Sequence, residues 1–440
     1  MNKTARGGSG AGTTLKPGDL LALTIEKPVP GGRMIARHDG QVVLVAGAIP
    51  GERVEARIER VEKRLAFAAM TMVLEPSGDR RERSFDHACG GCGYAHIAYE
   101  RQLALKGEVI ADAFARIGRT ALPGPVSVTA SPEQGYRMRA RLHVEERRAG
   151  FFREGTHQLC DPGPTGQLSE GALAAVPAML AALGSSAGAV VAIEVSENIA
   201  GSERAMHLEL RSADALPPET LAAGVAAAGL TGCSARSASG AFSQSGDPVV
   251  SDPLPLLTGG RASSGTLGRH AASFFQGNRY LLPALTLHVI DAVPAAGAVL
   301  DLYAGVGLFS VSLAAAGRSG VSAVEGDRES GADLLRNARP YAERLQPVVG
   351  LVEDYVRRDR TRPETVILDP PRTGISREAM DALPRLAAAR IIYVSCDPPT
   401  LARDARRLLD AGYALTSLRG FDLFPGTPHV ETAAVFDRAG

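Results

Sequence analysis

The sequence predicts a mixed α/β protein built in sequence order from a small N-terminal β-barrel, a central α+β region and a C-terminal open α/β sheet. Residues 19–76 are short β-type runs separated by Pro-Gly and Asp-Gly turns. Residues 126–261 mix strand-like stretches with alanine-rich helical pieces, and from about residue 263 strand, Gly turn, helix and strand alternate. A 440-residue chain that is 45% hydrophobic and 22% charged can bury a sizeable core in two or three domains. Its formal net charge of zero excludes a protein that coats nucleic acid by overall charge, while leaving room for local basic faces. No uncharged apolar run is long enough to span a bilayer, and Met1 to Leu15 lacks an apolar signal core, so a cytoplasmic protein is expected.

Residues 1–17 are Gly, Ser and Thr with little to bury, and a disordered tail is expected there. In the barrel segment, 18–77, Val54, Ala56 and Ile58 alternate with Glu55, Arg57 and Glu59, which assigns one face to a core and one to solvent. The central segment, 78–262, opens with Cys89-Gly-Gly-Cys92, and a third thiol, Cys160, follows far downstream. Two Cys separated by two small residues can present both sulfurs to one metal ion or cluster. Five Cys spread over a long chain argue against a disulfide framework. Tyr99 to Ile117 has the apolar spacing of a packing helix, and helical pieces are expected at 171–183 and 219–228. Arg137, Arg139 and Arg141 alternate along a strand-like run, a stripe that suits a phosphate backbone or a solvated face, and Tyr136 beside them could stack on a base. Cys233 has no companion and reads as a small buried residue.

The segment 263–440 reads as one α/β domain. A strand over 298–304 runs into Gly305-Val-Gly307 and a helix, then a second strand ending at Glu325, 20 residues after Gly305. That spacing suits a carboxylate reaching ribose hydroxyls, and a dinucleotide or an S-adenosylmethionine (SAM) site would both fit. Ser310 stands at the third glycine position of the dinucleotide pattern. The expected order continues with a helix at 328–343, strands at 348–352 and 365–369, a helix, a strand at 391–395, a helix at 401–409, and a final strand pair including 429–436. Cys396 comes at the end of the 391–395 strand, and Pro398 and Pro399 stop the strand before the helical run at 401–409. A thiol at that turn lies where open sheets collect ligands and where a helix N-terminus can lower its pKa.

Several stretches carry a family resemblance. GRMIARHDGQVVLVAGAIPGERVEARI resembles the TRAM domain, an OB-like RNA-binding β-barrel. SFFQGNRY (273–280), DLYAGVGLF (301–309), VEGD (324–327), ILDPPRTG (367–374), YVSCDPPTLARD (393–404) and FPGTPHVETAAVF (424–436) occur in the order found in the RNA uracil-C5 methyltransferases. The chain most resembles the branch that methylates large-subunit ribosomal RNA. That resemblance implies a seven-stranded, Rossmann-like class I SAM-methyltransferase domain, with Gln276, Tyr303, Glu325 and Asp369 lining the SAM pocket. It implies Cys396 as the nucleophile that adds to C6 of uracil and Glu431 as the base that takes the C5 proton. CGGC with a distant Cys resembles the family's iron–sulfur motif, which implies Cys89, Cys92 and Cys160 as ligands of a 4Fe–4S cluster. No Cys stands upstream for the fourth position, which leaves Asp86, His87 or a degenerate site. Where the family usually has Cys, Asn and Asn, this chain has Ala304, Leu308 and Asp397. The expected substrate is 23S rRNA, with tRNA the neighbouring choice, and a monomer is expected. A nicotinamide-dependent dehydrogenase and a non-catalytic RNA-binding protein are the alternatives from other classes.

Overall fold

The computed structural model describes residues 15–81, 86, 88–122, 124–358 and 361–439. Most of the tail expected over 1–17 lies outside those residues; Leu15 is buried in the first core. Strands β1 (Leu20–Thr24), β2 (Lys27–Pro28), β3 (Met34–His38), β4 (Gln41–Ala46), β5 (Arg53–Val61) and β6 (Leu65–Glu75) form one sheet ordered β1-β5-β6-β4-β3-β2. Val54, Ala56 and Ile58 point into its core with Leu23, Met34, Val43 and Val45, as the alternation requires. Tyr94, Ile97 and Leu105, from beyond the barrel, complete that core. Glu52 is fully buried and takes both oxygens to the Arg80 guanidinium at 2.6 Å, so the exit from the barrel is pinned by a bidentate ion pair.

Helix α1 (Tyr99–Ala113) follows and runs into a wider turn over Phe114–Gly118. The short strand β7 (Val128–Thr129) then pairs with the far C-terminal sheet, so this part of the central segment adds an eighth strand to the seven expected there. The central sheet is built from β8 (Arg139–Glu145), β9 (Arg148–Phe152), β10 (Leu159–Cys160), β11 (Val190–Glu197), β12 (Arg204–Leu210), β13 (Gly232–Arg236) and β14 (Phe242–Gly246). Its order is β10-β9-β8-β11-β12-β13-β14. Helices α2 (Glu170–Ala182) and α3 (Pro218–Ala227) bury Met179, Leu180 and Leu221 in the same core as Leu142, Ile193, Met206, Leu208 and Cys233 of the sheet. Hairpin β15 (Val249–Pro253) and β16 (Thr266–His270), with the one-turn helix α4 (Leu254–Leu257) between them, spans the division expected at 262/263.

The C-terminal sheet contains β17 (Val299–Leu302), β18 (Val321–Glu325), β19 (Leu345–Val349), β20 (Thr365–Leu368), β21 (Arg390–Ser395), β22 (Tyr413–Phe421) and β23 (Glu431–Arg438), ordered β19-β18-β17-β20-β21-β23-β22-β7. The pairs from β19 to β21 are parallel, and β23 runs antiparallel between β21 and β22. Helices α5 (Leu282–Ala292), α6 (Leu308–Ala315), α7 (Arg328–Ala338), α8 (Val352–Arg358), α9 (Arg377–Ala382) and α10 (Pro398–Asp410) cover it. The strand expected at 348–352 sits three residues earlier. Gly350 ends the extended run, and Val352 instead buries itself as the first residue of α8. The strand order reverses between β17 and β20, which opens a crevice at their carboxyl ends.

Candidate active site

At the exit of β17 the chain turns sharply. Tyr303 takes φ 61° and Gly305 φ 57°, while Gly307 (φ 95°) caps α6, and a Cβ there would lie 2.5 Å from Val311. A left-handed Tyr costs on the order of 1–3 kcal/mol, a strain that folded proteins keep mainly at functional sites. Glu325, at the end of β18, accepts from Gly305 N at 2.7 Å and from Asp327 N at 2.6 Å. The acid and the glycine turn, paired in the sequence only by their spacing, are therefore hydrogen-bonded partners. Asp369 follows β20 and accepts from Gln276 Nε2 at 3.3 Å. Burial, opposed by that hydrogen bond, pushes Asp369 up to about 7. Buried Asp301 beneath it is likewise raised to about 7 by burial, and one of its oxygens has no partner. Glu325 and Asp369 stand at the carboxyl ends of β18 and β20, on either side of β17, and burial raises both. The SAM expected there fits, with Glu325 open to hydroxyls and Asp369 to an ammonium group. The Tyr303 ring packs against the core that includes Val352, Ile375 and Met380. Burial raises the Tyr303 phenol, and Glu353, in the first turn of α8, adds to the rise.

The register of β21 on β23 pairs Ser395 with Thr432, so Cys396 and Glu431 are brought together at the same end of the sheet. Burial first, then the Glu431 carboxylate, push the Cys396 thiol up to about 12, while Arg372 hydrogen-bonds to it and pulls it down. The helix N-terminus expected to lower this thiol is thus outweighed by burial. Glu431 is 2% exposed and its Oε1 has no partner. Burial, with Asp369 adding to it, raises Glu431 well above the ordinary carboxylate range, and Arg372 opposes the rise. His429, two residues earlier, is held down at about 4 by burial and by Arg372, and so is neutral at pH 7. One cation thus touches the electrostatics of thiol, carboxyl and imidazole together.

Arg372 was not singled out from the sequence, although it stands in the DPPR stretch whose Asp369 was. The signal available was its place three residues after Asp369, on the turn that leaves β20. Asp397 also acquires a role. Its side chain accepts from Thr400 N at 2.8 Å and caps α10, work for which Asp and Asn serve about equally.

Two expectations are corrected. Cys89 and Cys160 are joined in a disulfide, which removes two of the three thiolates expected to hold a cluster. Cys92 is a buried free thiol, raised to about 11 by burial and by nearby Asp86. Among the described residues no group of three or more His, Cys, Asp or Glu side chains is placed to hold a metal, and His87 lies outside them. The donor set does not fit a 4Fe–4S cluster. The second correction concerns the arginine stripe. The alternation exists, but Arg137 donates to Gln167 Oε1 at 2.7 Å, Arg139 pairs with Glu194 at 3.1 Å, and Arg141 pairs with Glu194 and Glu209. Arg137 and Arg139 are largely buried in these contacts, while Arg141 stays partly exposed beside its two carboxylates. Tyr136 is fully buried and donates its hydroxyl to Pro425 O at 3.0 Å, so it cannot stack on a base.

The family described as tRNA (Uracil-5-)-methyltransferase matches residues 343–439, and the TRAM domain matches residues 15–71. The 23S rRNA (uracil(1939)-C(5))-methyltransferase RlmD of Pseudomonas putida is 32% identical over 96% of this chain and 94% of its own. The chain belongs to the RNA uracil-C5 methyltransferases. The enzyme of the same name from Halomonas elongata is 33% identical over 94% of this chain and 89% of its own. The structure of the Pyrococcus abyssi tRNA (uracil-54, C5)-methyltransferase, in complex with S-adenosyl-L-homocysteine, superposes with a TM-score of 0.73 at 23% identity, covering 94% of this chain and 99% of that one. That likeness extends the shared fold over barrel, central sheet and catalytic sheet. For this methyltransferase the nicotinamide-dehydrogenase reading falls, in keeping with Ser310 at the third glycine position.

Proposed function

We propose that this methyltransferase transfers a methyl group to C5 of one uridine in 23S rRNA, with Cys396 as nucleophile and Glu431 as the base. The observation that carries the reading is the meeting of Cys396 and Glu431 across the β21–β23 register, beside the acidic crevice formed by Glu325, Asp369 and Gln276. SAM, held by Gln276, Tyr303, Glu325 and Asp369, supplies an electrophilic methyl group. Uracil C5 is too weak a nucleophile to take that methyl directly, so covalent activation is needed. The Cys396 sulfur adds to C6, and the C5–C6 electron pair moves into an enolate. Arg372 favours the thiolate that begins this step. C5 then forms its bond to the methyl carbon as that carbon's bond to the sulfonium sulfur breaks, the electron pair staying on sulfur, which leaves as a neutral thioether. The C5 proton passes to Glu431, the S–C6 bond breaks, the C5–C6 double bond is restored, and Cys396 leaves as thiolate. A carboxylate whose conjugate acid has been raised by burial is a stronger proton acceptor than an exposed one, and Arg372 helps it reach the ionised form.

The choice of 23S rRNA is supported by the names of the relatives from Pseudomonas and Halomonas, and tRNA is the alternative. The enzyme is placed in the cytoplasm with its RNA and acts as a monomer. No helix among the described residues is long and apolar enough to cross a membrane. Incubating the protein with radiolabelled SAM and separated rRNA and tRNA, from cells lacking it, tests the assignment. Label at C5 of a single 23S uridine is expected. Label in tRNA alone would move the substrate, and label in neither RNA would overturn the activity.

A further inference from the structure

The loop from Asp422 to Val430 joins β22 to β23 and delivers Glu431 to the site. Four successive carbonyls in it are each taken by a different part of the molecule. Leu423 O accepts from Asn278 Nδ2 at 3.1 Å and Phe424 O from Lys106 Nζ at 3.1 Å. Pro425 O accepts from the Tyr136 hydroxyl at 3.0 Å, and Gly426 O from the Tyr94 amide at 2.8 Å. The Gly426 amide in turn donates to Gln102 Oε1 at 2.9 Å. Lys106 also forms a buried ion pair with Asp422 at the start of the loop. The approach is close on the barrel side too, where a Cβ at Gly32 would lie 2.8 Å from Pro428. Tyr136, Gln102 and Lys106 are essentially unexposed, and none has a place in the chemistry above.

We propose that Tyr136, Gln102 and Lys106, with the backbone of the CGGC loop at Tyr94, form a clamp that positions the catalytic carboxylate of Glu431. Ordinary loops leave most carbonyls to water. This one surrenders four in a row to groups from α1, the CGGC loop, the run before β8 and the 273–280 segment, which leaves the entry to β23 little freedom. The side chain it delivers is buried with an unpartnered oxygen, so no hydrogen bond of its own fixes that oxygen and the backbone must do so. The clamp also gives the CGGC loop a role that needs no metal. These are positioning residues, and the inference rests on the reading of Glu431 as the base.

The test uses the full-length enzyme in single turnovers with substrate RNA. Tyr136→Phe removes one hydroxyl and keeps the ring; Gln102→Leu removes the acceptor for the Gly426 amide together with the Nε2 donor to Ile97 O at 2.9 Å. Tyr136→Phe and Gln102→Leu are expected to slow release of methylated RNA by about threefold to tenfold each, the scale of one lost hydrogen bond. Methylated covalent adduct should accumulate, with SAM affinity unchanged. If methyl transfer and release slow by the same factor, or neither slows, the clamp does not place the base. Glu431→Gln serves as the control for the base itself. Should it trap no adduct, the base assignment falls and the clamp is judged on turnover. It stands if Tyr136→Phe has no further effect in the Glu431→Gln background, and is overturned if the two losses multiply.

Discussion

Asp369 shows how burial prepares this site for a cation. Its carboxyl, held at about 7, is largely protonated below neutrality, and in the role proposed for it must give up that proton to meet an ammonium group. SAM affinity should therefore rise with pH, weakening by up to about tenfold for each unit below 7 and levelling off above 8. Isothermal titration from pH 5.5 to 8.5 checks this, and Asp369→Asn should bind more weakly and without the slope. A flat profile in the unmodified enzyme would remove Asp369 from the ammonium site. The places of Cys396, Glu431, Glu325 and Asp369 at the carboxyl end of the sheet were legible because each stands at a motif position; the roles proposed for them rest on the family. Arg372 was not, because Arg is common on surfaces and only the fold turns this one toward the thiol. Tyr136 was misread because a sequence does not reveal whether a ring beside arginines faces solvent or a carbonyl.

Secondary structure elements were legible where local signals agree. The Gly turn before α6 and the alternation in β5 follow from propensity and period alone, whereas Pro398 and Pro399, read as the end of the strand, form the first turn of α10 and start it three residues before 401. The stretch 348–352 misled because Val348, Val349 and Val352 are all β-branched, while Gly350 between them breaks the run. Asp397 makes a test at this scale. Asp397→Ala removes the cap of α10 and should cost about 1 kcal/mol in urea unfolding, whereas Asp397→Asn should stay within about 0.5 kcal/mol. An Ala variant as stable as the unmodified protein would mean that Pro398 and Pro399 alone fix the helix start. At Cys89 and Cys160 spacing was an insufficient guide. Cys160 of β10 pairs with Phe151 of β9 while Cys89 bridges to Arg153 just past β9, which brings two distant thiols within bonding reach, and no local pattern foretells that.

The molecule as a whole is tied together more tightly than three successive segments suggest. Tyr94, Ile97 and Leu105 complete the barrel core, Glu52 in the barrel holds Arg80 beyond it, and β7 extends the C-terminal sheet. These links are long-range, so the motif order could give the succession of domains but not their docking. A chain beginning at residue 78 would expose three large apolar side chains, each worth about 1.5–3 kcal/mol when buried. Against a typical total stability of about 5–15 kcal/mol, that chain should aggregate or melt at least 10 °C lower by calorimetry. Melting at the temperature of the full chain would show the barrel to be a detachable module.

The covalent half-reactions give the most direct measurement. Glu431→Gln is mixed with substrate RNA and methyl-labelled SAM, and the products are resolved on a denaturing gel. Addition of Cys396 and methyl transfer both precede proton removal, so the account predicts a labelled, slowly migrating protein–RNA band that builds up and persists. The double variant that also carries Cys396→Ala should show no band. Free methylated RNA appearing steadily from Glu431→Gln with no adduct, or a band that survives loss of Cys396, would contradict the account.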